Sequence, residues 1–216
     1  MKKLILIGAG GYAKSVLDSL DIYNYNFVGF IDDYKEGTHL GYPIITNDIL
    51  NLKDPSDFYY FISIGDNEKR KYWYNILKYN NLSVINIVDS SAIVSKNTTI
   101  GEGCFIGKMA IINSGVSIGN NCIVNTKALV EHGCHIGNNV NISTNSVLNG
   151  DVKIEHDVFV GSCSVINGQL KIGSGSIIGS GSVVIKDVQL NTTVVGVPAK
   201  ILLGGKNKNA KNVYNR

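Results

Sequence analysis

Three sets of residues in this chain have types and spacings that do chemistry. Near the N terminus, MKKLILIGAGGYAKSV runs an apolar stretch into G-A-G-G-Y-A, and Gly8, Gly10 and Ala13 satisfy the G-x-G-x-x-G/A pattern. Glycines there admit a pyrophosphate against the backbone, and the helix that follows turns its free N–H groups toward the anion. Asp32 and Asp33 close a second apolar run, NFVGFIDD, about where a ribose-binding carboxylate falls. Taken alone, this is nucleotide chemistry of the nicotinamide or flavin kind, an oxidoreductase reading that NAD titration would test. The second set is the histidines, His39, His132, His135 and His156. Imidazole is the side chain suited to accepting a proton near neutral pH. The third is the cysteines, Cys104, Cys122, Cys134 and Cys163, which form no C-x-x-C pair and argue for neither a zinc site nor a disulfide framework. No metal is expected.

The elements that carry these residues follow two rules, which change over near residue 84. Up to that point strands alternate with helices: KLILI, then GYAKSVLDSL as a helix opened by the glycine loop, then NFVGFI, a short extended PIIT, a helical turn at NDILNL, and DFYYFISI. DNEKRKYWYNILKYN is an amphipathic helix with Trp73, Ile76 and Leu77 on one face and its charges on the other, and LSVINIV is a further strand. Such alternation predicts a parallel sheet.

From Val88 onward an aliphatic residue recurs every six positions, through Val94, Ile100, Ile106 and so on to Val184, without an insertion. Neither a helix nor an ordinary sheet sustains a period of six; a parallel β-helix of hexapeptides does, three hexads closing a triangular coil of 18 residues. The residue after the aliphatic is often Gly or Asn, which suits a left-handed backbone at a corner. Four residues after the aliphatic, a second inward slot holds Cys, Ala, Val or Ser with one Leu, the small side chains a narrow prism requires. Cys104, Cys122 and Cys134 occupy that slot and are core residues; Cys163 is one place off it and is expected to be structural. The predicted organisation is an α/β domain over residues 1–84, a β-helix over 85–203 and a basic, polar tail over 204–216, expected to be largely disordered.

Bulk properties narrow the function classes. A net charge of +3 with scattered lysines is too mild for nucleic acid as a main partner. MKKLILI resembles the start of a signal peptide, but its apolar run stops at Gly8 with no cleavage-like site after it. No apolar run has the length of a membrane span. The expected location is the cytoplasm.

Among the histidines, His39 lies in the polar loop KEGTHLG and reads as a surface residue. His132 and His156 both follow a glutamate and both stand two places after an inward aliphatic, so both project outward; 24 residues apart, they lie on different faces of the prism. Periodicity does not choose between them.

The uninterrupted hexads, the small α/β domain before them and the closing VVGVPAK together resemble the left-handed β-helix acyltransferases. More narrowly, the chain is similar to the bacterial family of nucleotide-linked 4-amino-sugar N-acetyltransferases and sialic acid O-acetyltransferases, from GAGG through IDD, SIGDNEKR and VNTKALVEHGCHIG to GVPAK. The resemblance implies a homotrimer with acetyl-CoA in the groove between neighbouring β-helices, and it places the base at His132. It implies that Asn125 hydrogen-bonds the acceptor and that the Gly150 N–H meets the thioester oxyanion. It also implies that Gly150, Gly161, Gly179, Gly196, Pro198 and Lys200 line the CoA site. Three positions depart from the family pattern. Gly133 stands where a carboxylate usually orients the imidazole, and Asp151 one coil away, Glu131 or a water could substitute; Asn141 and Tyr12 each stand where relatives commonly have histidine.

The opening fingerprint then takes another meaning. About 85 residues precede the hexads, enough for one βαβαβ half and too few for the two halves that hold a dinucleotide. A half-site fits a sugar-nucleotide, with Gly8, Gly10, Gly11, Tyr12 and Gly65 facing it and Asp32, Asp33 and Lys35 near its base or ribose. The expectation is an acetyl-CoA-dependent N-acetyltransferase acting on the 4-amino group of a UDP- or dTDP-linked amino-deoxysugar for surface glycan biosynthesis. The alternatives are O-acetylation of sialic acid or another sugar, and a non-catalytic trimeric assembly or regulatory protein.

Overall fold

The computed structural model describes residues 1–202, so the basic segment 204–216 lies outside the described residues. Strand β1 (Lys2–Ile7) runs parallel to β2 (Tyr25–Ile31) on one side and to β5 (Tyr59–Ile62) on the other. Strands β3 (Thr38–His39) and β4 (Tyr42–Thr46) extend the β2 side as a hairpin, and β6 (Ser83–Val84) closes the β5 side, giving the order β3-β4-β2-β1-β5-β6. Leu4 to Ile7 are completely buried, as an apolar run in a sheet covered on both faces must be. On one face Leu4, Leu6, Phe30 and Phe61 meet Ala13 and Val16 of helix α1 (Gly11–Asp18), together with Phe105 and Ile123 from the second half of the chain. On the other, Ile5, Ile7, Tyr60 and Ile62 meet Trp73 and Leu77 of helix α2 (Asn67–Tyr79). That helix starts at Asp66, whose carboxylate accepts the Lys69 N–H at 2.9 Å.

The stretch LSVINIV is not one strand. It breaks at Ile85–Asn86, so that Ser83–Val84 ends the first sheet and Ile87–Val88 begins the next architecture. From there two-residue strands stack 18 residues apart: Phe105 beside Ile123, Ile111 beside Leu129, Ser117 beside His135. The result is a left-handed β-helix of three parallel faces. One face, beginning with Ile87, Phe105 and Ile123, lies under the N-terminal sheet and α1, and we call it the covered face. The next, with Ile93, Ile111, Leu129, Val147, Val165 and Val183 pointing outward, is the aliphatic face. The third, with Thr99, Ser117, His135, Lys153 and Lys171, is the polar face.

The hexad aliphatics from Ile106 to Val184 form the buried interior with Cys104, Ala110, Cys122, Ala128 and Cys134. Buried polar atoms in the small slot are satisfied by turn carbonyls. Cys104, Cys122 and Cys134 lie 3.1, 3.1 and 3.2 Å from the carbonyls of Gly119, Gly137 and Asn149, and Ser164 Oγ donates to Gly179 at 2.9 Å. Val88 departs from the pattern: it is 44% exposed, because the first coil has no coil beyond it.

One expectation is corrected. The left-handed backbone lies three residues after the aliphatics from Ile100 to Ile178, at Gly103, Met109, Gly115, Asn121, Lys127, Gly133 and their successors, and not at the residue immediately after them. The glycines that follow the aliphatic are needed for close approach instead: a Cβ on Gly119 would lie 2.8 Å from the Gly137 carbonyl carbon in the next coil. Cys163 is exposed and occupies one of the left-handed turn positions, φ +59°, where its neighbour is Asn145 one coil away. It is a turn residue, outside the core.

The junction between the two halves depends on a residue that the sequence places on the charged side of α2. Arg70 is buried, and its guanidinium donates to the carbonyls of Ile64, Gly65 and Asn121 and to Asn67 Oδ1. Lys71 pairs with Asp157 at 2.7 Å, Tyr74 donates to Glu102, and Lys108 pairs with Asp18.

Gly119→Ala is expected to destabilise the fold by about 1–3 kcal/mol, the usual range for overpacking. Gly181→Asn, at a left-handed position with nothing within 4 Å, is expected to be near neutral. Urea midpoints for the two variants check this contrast.

Candidate active site

The glycine loop forms one wall of an open cleft with about 590 Å³ of empty space at the carboxyl ends of β1, β2 and β5. Gly8, Gly10, Gly11, Tyr12, Asp32, Asp33 and Gly65 line it, joined by Tyr34, Lys69 and Trp73. Gly8 has φ +97°, and its missing side chain makes room for Ile64. A Cβ on Gly10, Gly11 or Gly65 would meet no atom within 4 Å, so these three present bare backbone to the cleft. Ser63 Oγ donates to the Gly8 carbonyl at 2.6 Å and pins the loop from behind.

The acidic and basic residues assigned to this cleft divide by role. Asp32 is committed to the protein: its carboxylate accepts from the N–H groups of Ala9, Tyr34 and Lys35 at 2.7, 3.0 and 3.1 Å, tying the glycine loop to the turn after β2. Lys35 turns its ammonium to the Ala9 carbonyl. Asp33 accepts no hydrogen bond among the described residues and is exposed. Lys69 lies over the Tyr34 ring, 5.1 Å from its centre, across the mouth of the cleft. The Tyr12 ring meets Phe105 edge-on, and its buried hydroxyl has no partner among the described residues. Burial pushes that hydroxyl's pKa strongly upward, so it stays protonated. His39 is not a plain surface residue either: its ring packs edge-on against Phe30, with Nε2 buried.

His132 stands on the edge between the aliphatic and polar faces, exposed, two residues past the strand Leu129–Val130. Its imidazole lies over Gly150: a Cβ on Gly150 would be 2.6 Å from Cε1 and 2.7 Å from Nε2. Gly150 is therefore glycine to admit the ring. Its own N–H has no acceptor among the described residues, whereas its carbonyl accepts from Gln169 N at 2.9 Å. Glu131 accepts from Asn113 Nδ2 at 2.9 Å and from the His132 N–H at 3.4 Å. On the same corner, burial pushes the Cys134 thiol up to about 11, with the charges of Asp151 and Glu131 adding to the effect.

The remaining assigned residues lie elsewhere. Asn125, Gly161 and Gly179 are on the edge between the covered and aliphatic faces, following the strands Ile123–Val124, Phe159–Val160 and Ile177–Ile178. Asn125 Oδ1 accepts the N–H of Thr126. Gly196, Pro198 and Lys200 belong to a hairpin laced to the end of the aliphatic face, where Val183 N donates to the Gly196 carbonyl and Ala199 N to the Val183 carbonyl. Lys200 is exposed. A single chain thus puts His132 with Gly150 on one edge and Asn125 with Gly161 and Gly179 on another, the aliphatic face lying between. Asn141 is buried on the covered face between Ile123 and Phe159. His156 lies on the third edge, where Nδ1 accepts the Asn138 N–H, so it is the structural histidine of the two.

Sequence reading missed Tyr34, Lys69 and Trp73. Trp73 carried a core signal; the position of all three beyond the carboxyl ends of parallel strands was the cue for a ligand crevice. No group of His, Cys, Asp or Glu suited to a metal occurs among the described residues, and no described helix is long and apolar enough to cross a membrane. Asp32→Ala removes the acceptor for three backbone donors and is expected to lower stability by about 2 kcal/mol or more. Chemical denaturation checks it; an unchanged midpoint would mean that these three hydrogen bonds do not hold the loop.

Residues 3–77 match the family model of the PglD N-terminal domain, and residues 81–169 that of the GMPPB C-terminal domain. No curated protein sequence matches the chain. Among solved structures it is similar to PerB from Caulobacter crescentus in complex with CoA and GDP-perosamine, at 30% identity over 93% of this chain and 97% of that one, TM-score 0.85. The acetyltransferase domain of PglB from Neisseria gonorrhoeae in complex with acetyl coenzyme A is 31% identical over 93% and 99%, TM-score 0.88. WeeI from Acinetobacter baumannii is 29% identical over 93% and 99%, TM-score 0.85. With that likeness running through both halves, the chain belongs to the bacterial sugar acyltransferase family in which a Rossmann-like domain precedes a left-handed β-helix.

Proposed function

We propose that this protein transfers the acetyl group of acetyl-CoA to the 4-amino group of a nucleotide-linked amino-deoxysugar, as a cytoplasmic homotrimer serving surface glycan synthesis. The observation that carries the reading is the exposed imidazole of His132 seated over Gly150, beside an aliphatic face that no other described part of the chain covers. PerB, 30% identical, holds CoA and GDP-perosamine, which supports both substrate classes.

In this reading the cleft of Gly8, Gly10 and Gly11 takes the diphosphate on bare backbone N–H groups, and Asp33 and Lys69 reach the base or ribose. The UDP or dTDP type remains our assignment, with GDP the third nucleotide to test. The neutral amine approaches His132, which accepts a proton as the nitrogen attacks the thioester carbonyl. The N–C bond forms, the Gly150 N–H holds the oxyanion, and the C–S bond breaks. The CoA thiolate takes the proton back from the imidazolium. Much of the acceleration comes from holding amine and thioester in one groove.

The trimer rests on the aliphatic face. Ile111, Leu129, Val147, Val165 and Val183 are only half-buried in a single chain, and Ile93 is exposed. A continuous apolar row of this kind favours burial against a second copy. Such packing also brings the edge of one copy bearing Asn125, Gly161 and Gly179 toward the edge of its neighbour bearing His132, uniting residues that one chain keeps apart. The CoA groove then lies between copies, closed at its end by Gly196, Pro198 and Lys200.

Release of free thiol from acetyl-CoA, followed with UDP-, dTDP- and GDP-linked 4-amino-sugars and with free sialic acid, tests the substrate. His132→Ala is expected to lose at least about 10²-fold in kcat while sedimenting as the wild type does; an unchanged rate would falsify the assignment of the base. Val147→Asp is expected to give monomers in analytical ultracentrifugation and to lose transfer with them. A monomeric variant of full activity would contradict a site shared between copies.

A further inference from the structure

We propose that Asp151 is the positioning residue for His132, and that base and carboxylate are assembled from two successive coils. The inference rests on the reading of His132 as the base. The dipeptide His132-Gly133 lies over Gly150-Asp151 in the stack, and the Asp151 N–H donates to the His132 carbonyl at 2.9 Å. Each dipeptide carries one functional side chain and one glycine, in opposite order. The His132 ring fills the space a Cβ would take at Gly150. Reciprocally, Asp151 Oδ1 fills the space at Gly133, 2.1 Å from where a Cβ would stand. Two glycines are thus filled by side chains from the adjoining coil, and imidazole and carboxylate both belong to one exposed edge, in successive coils.

The charged surroundings leave Asp151 as the partner. Glu131, the other acid on this corner, already accepts from Asn113 Nδ2 and from the His132 N–H. The carboxylate of Asp151 accepts no hydrogen bond among the described residues. The coil before it presents Asn113, Ser114 and Gly115 at this edge and the coil after it Asn167, Gly168 and Gln169, none of them charged. The buried Cys134 thiol beneath the corner is the remaining titratable group. No hydrogen bond or ion pair joins the His132 ring to Asp151 among the described residues; contacts of this kind commonly tighten when substrate is bound. A carboxylate there fixes which ring nitrogen carries the proton and stabilises the imidazolium formed as the amine attacks.

Three variants test this: Asp151→Asn, His132→Ala, and the exchange Gly133→Asp with Asp151→Gly, which returns a carboxylate to the same space from the other coil. Position 133 has φ +68°, a conformation aspartate tolerates better than most residues. Asp151→Asn is expected to lower kcat by on the order of 10²-fold with KM little changed. With CoA and an unreactive amino-sugar analogue bound, it is also expected to convert the ¹⁵N imidazole signals of His132 from one tautomer to a mixture. The exchange variant is expected to recover most of the lost kcat and the single-tautomer spectrum, which a merely structural Asp151 would not produce. Wild-type kcat and an unaltered tautomer in Asp151→Asn, in a protein that His132→Ala inactivates, would overturn the proposal alone. Full activity in His132→Ala would overturn the reading of the base, and this proposal with it. If the exchange variant does not fold, the kcat and tautomer of Asp151→Asn decide.

Discussion

The whole β-helix depends on one repeated interaction, the backbone hydrogen bond from an N–H in one coil to the carbonyl 17 positions along, in the coil stacked on it. Asn125 N to the Ile142 carbonyl, Glu131 N to Leu148 and Gly137 N to Ile154 are three examples, all between 2.8 and 2.9 Å. Because coils superpose at the strand spacing of about 4.8 Å, a side chain's nearest outward neighbours are the residues 18 before and 18 after it. Three relations at the candidate site are of this kind: Asn113 with Glu131, His132 with Gly150, Gly133 with Asp151. The chemistry is written vertically across coils, so a substitution acts on the coil next to it as much as on its own.

The second constraint is the junction. Arg70 is a buried cation with no carboxylate paired to it among the described residues, and burial draws its pKa below the usual guanidinium value. Four acceptors around it offset the loss of water: three backbone carbonyls and the Asn67 side chain. An unpaired charge in such a place is destabilising by several kcal/mol without those acceptors. Arg70 therefore specifies geometry more than it adds stability. It gathers the Ile64–Gly65 wall of the glycine-loop cleft and the Asn121 turn of the β-helix around one plane, which fixes how the cleft is presented to the prism.

How much of this could be read from the residues varies with how periodic each feature is. The hexads were legible because an interior of fixed cross-section leaves only aliphatic or small residues at two positions in six, over a hundred residues. The α/β half was legible from buried runs such as KLILI and FYYFI. Turn conformation was not, since glycine serves two purposes here. At Gly119 it avoids a clash and at Gly133 it adopts positive φ, and both appear simply as Gly. Arg70 was hidden inside EKRK, where Glu68 and Lys69 beside it are exposed. The acid set of the cleft was recognised as a group, but only contacts separate Asp32, which holds the loop, from Asp33, which is free. His132 was selected by resemblance, and its distinction from His156 became physical once the latter's Nδ1 was found to accept a backbone N–H.

The central claim is that acetyl transfer occurs at the edge where His132 overlies Gly150, with donor and acceptor meeting between copies of the chain. A crystal structure of the assembled protein with CoA and an unreactive nucleotide-4-amino-sugar analogue tests it most directly. The account predicts the group at the sugar's C4 within about 3 Å of a His132 ring nitrogen and the CoA sulfur beside the Gly150 N–H, with Asn125 of the adjacent copy facing them. A C4 group lying nearer His156 or His135, or CoA bound wholly within one chain, would contradict it.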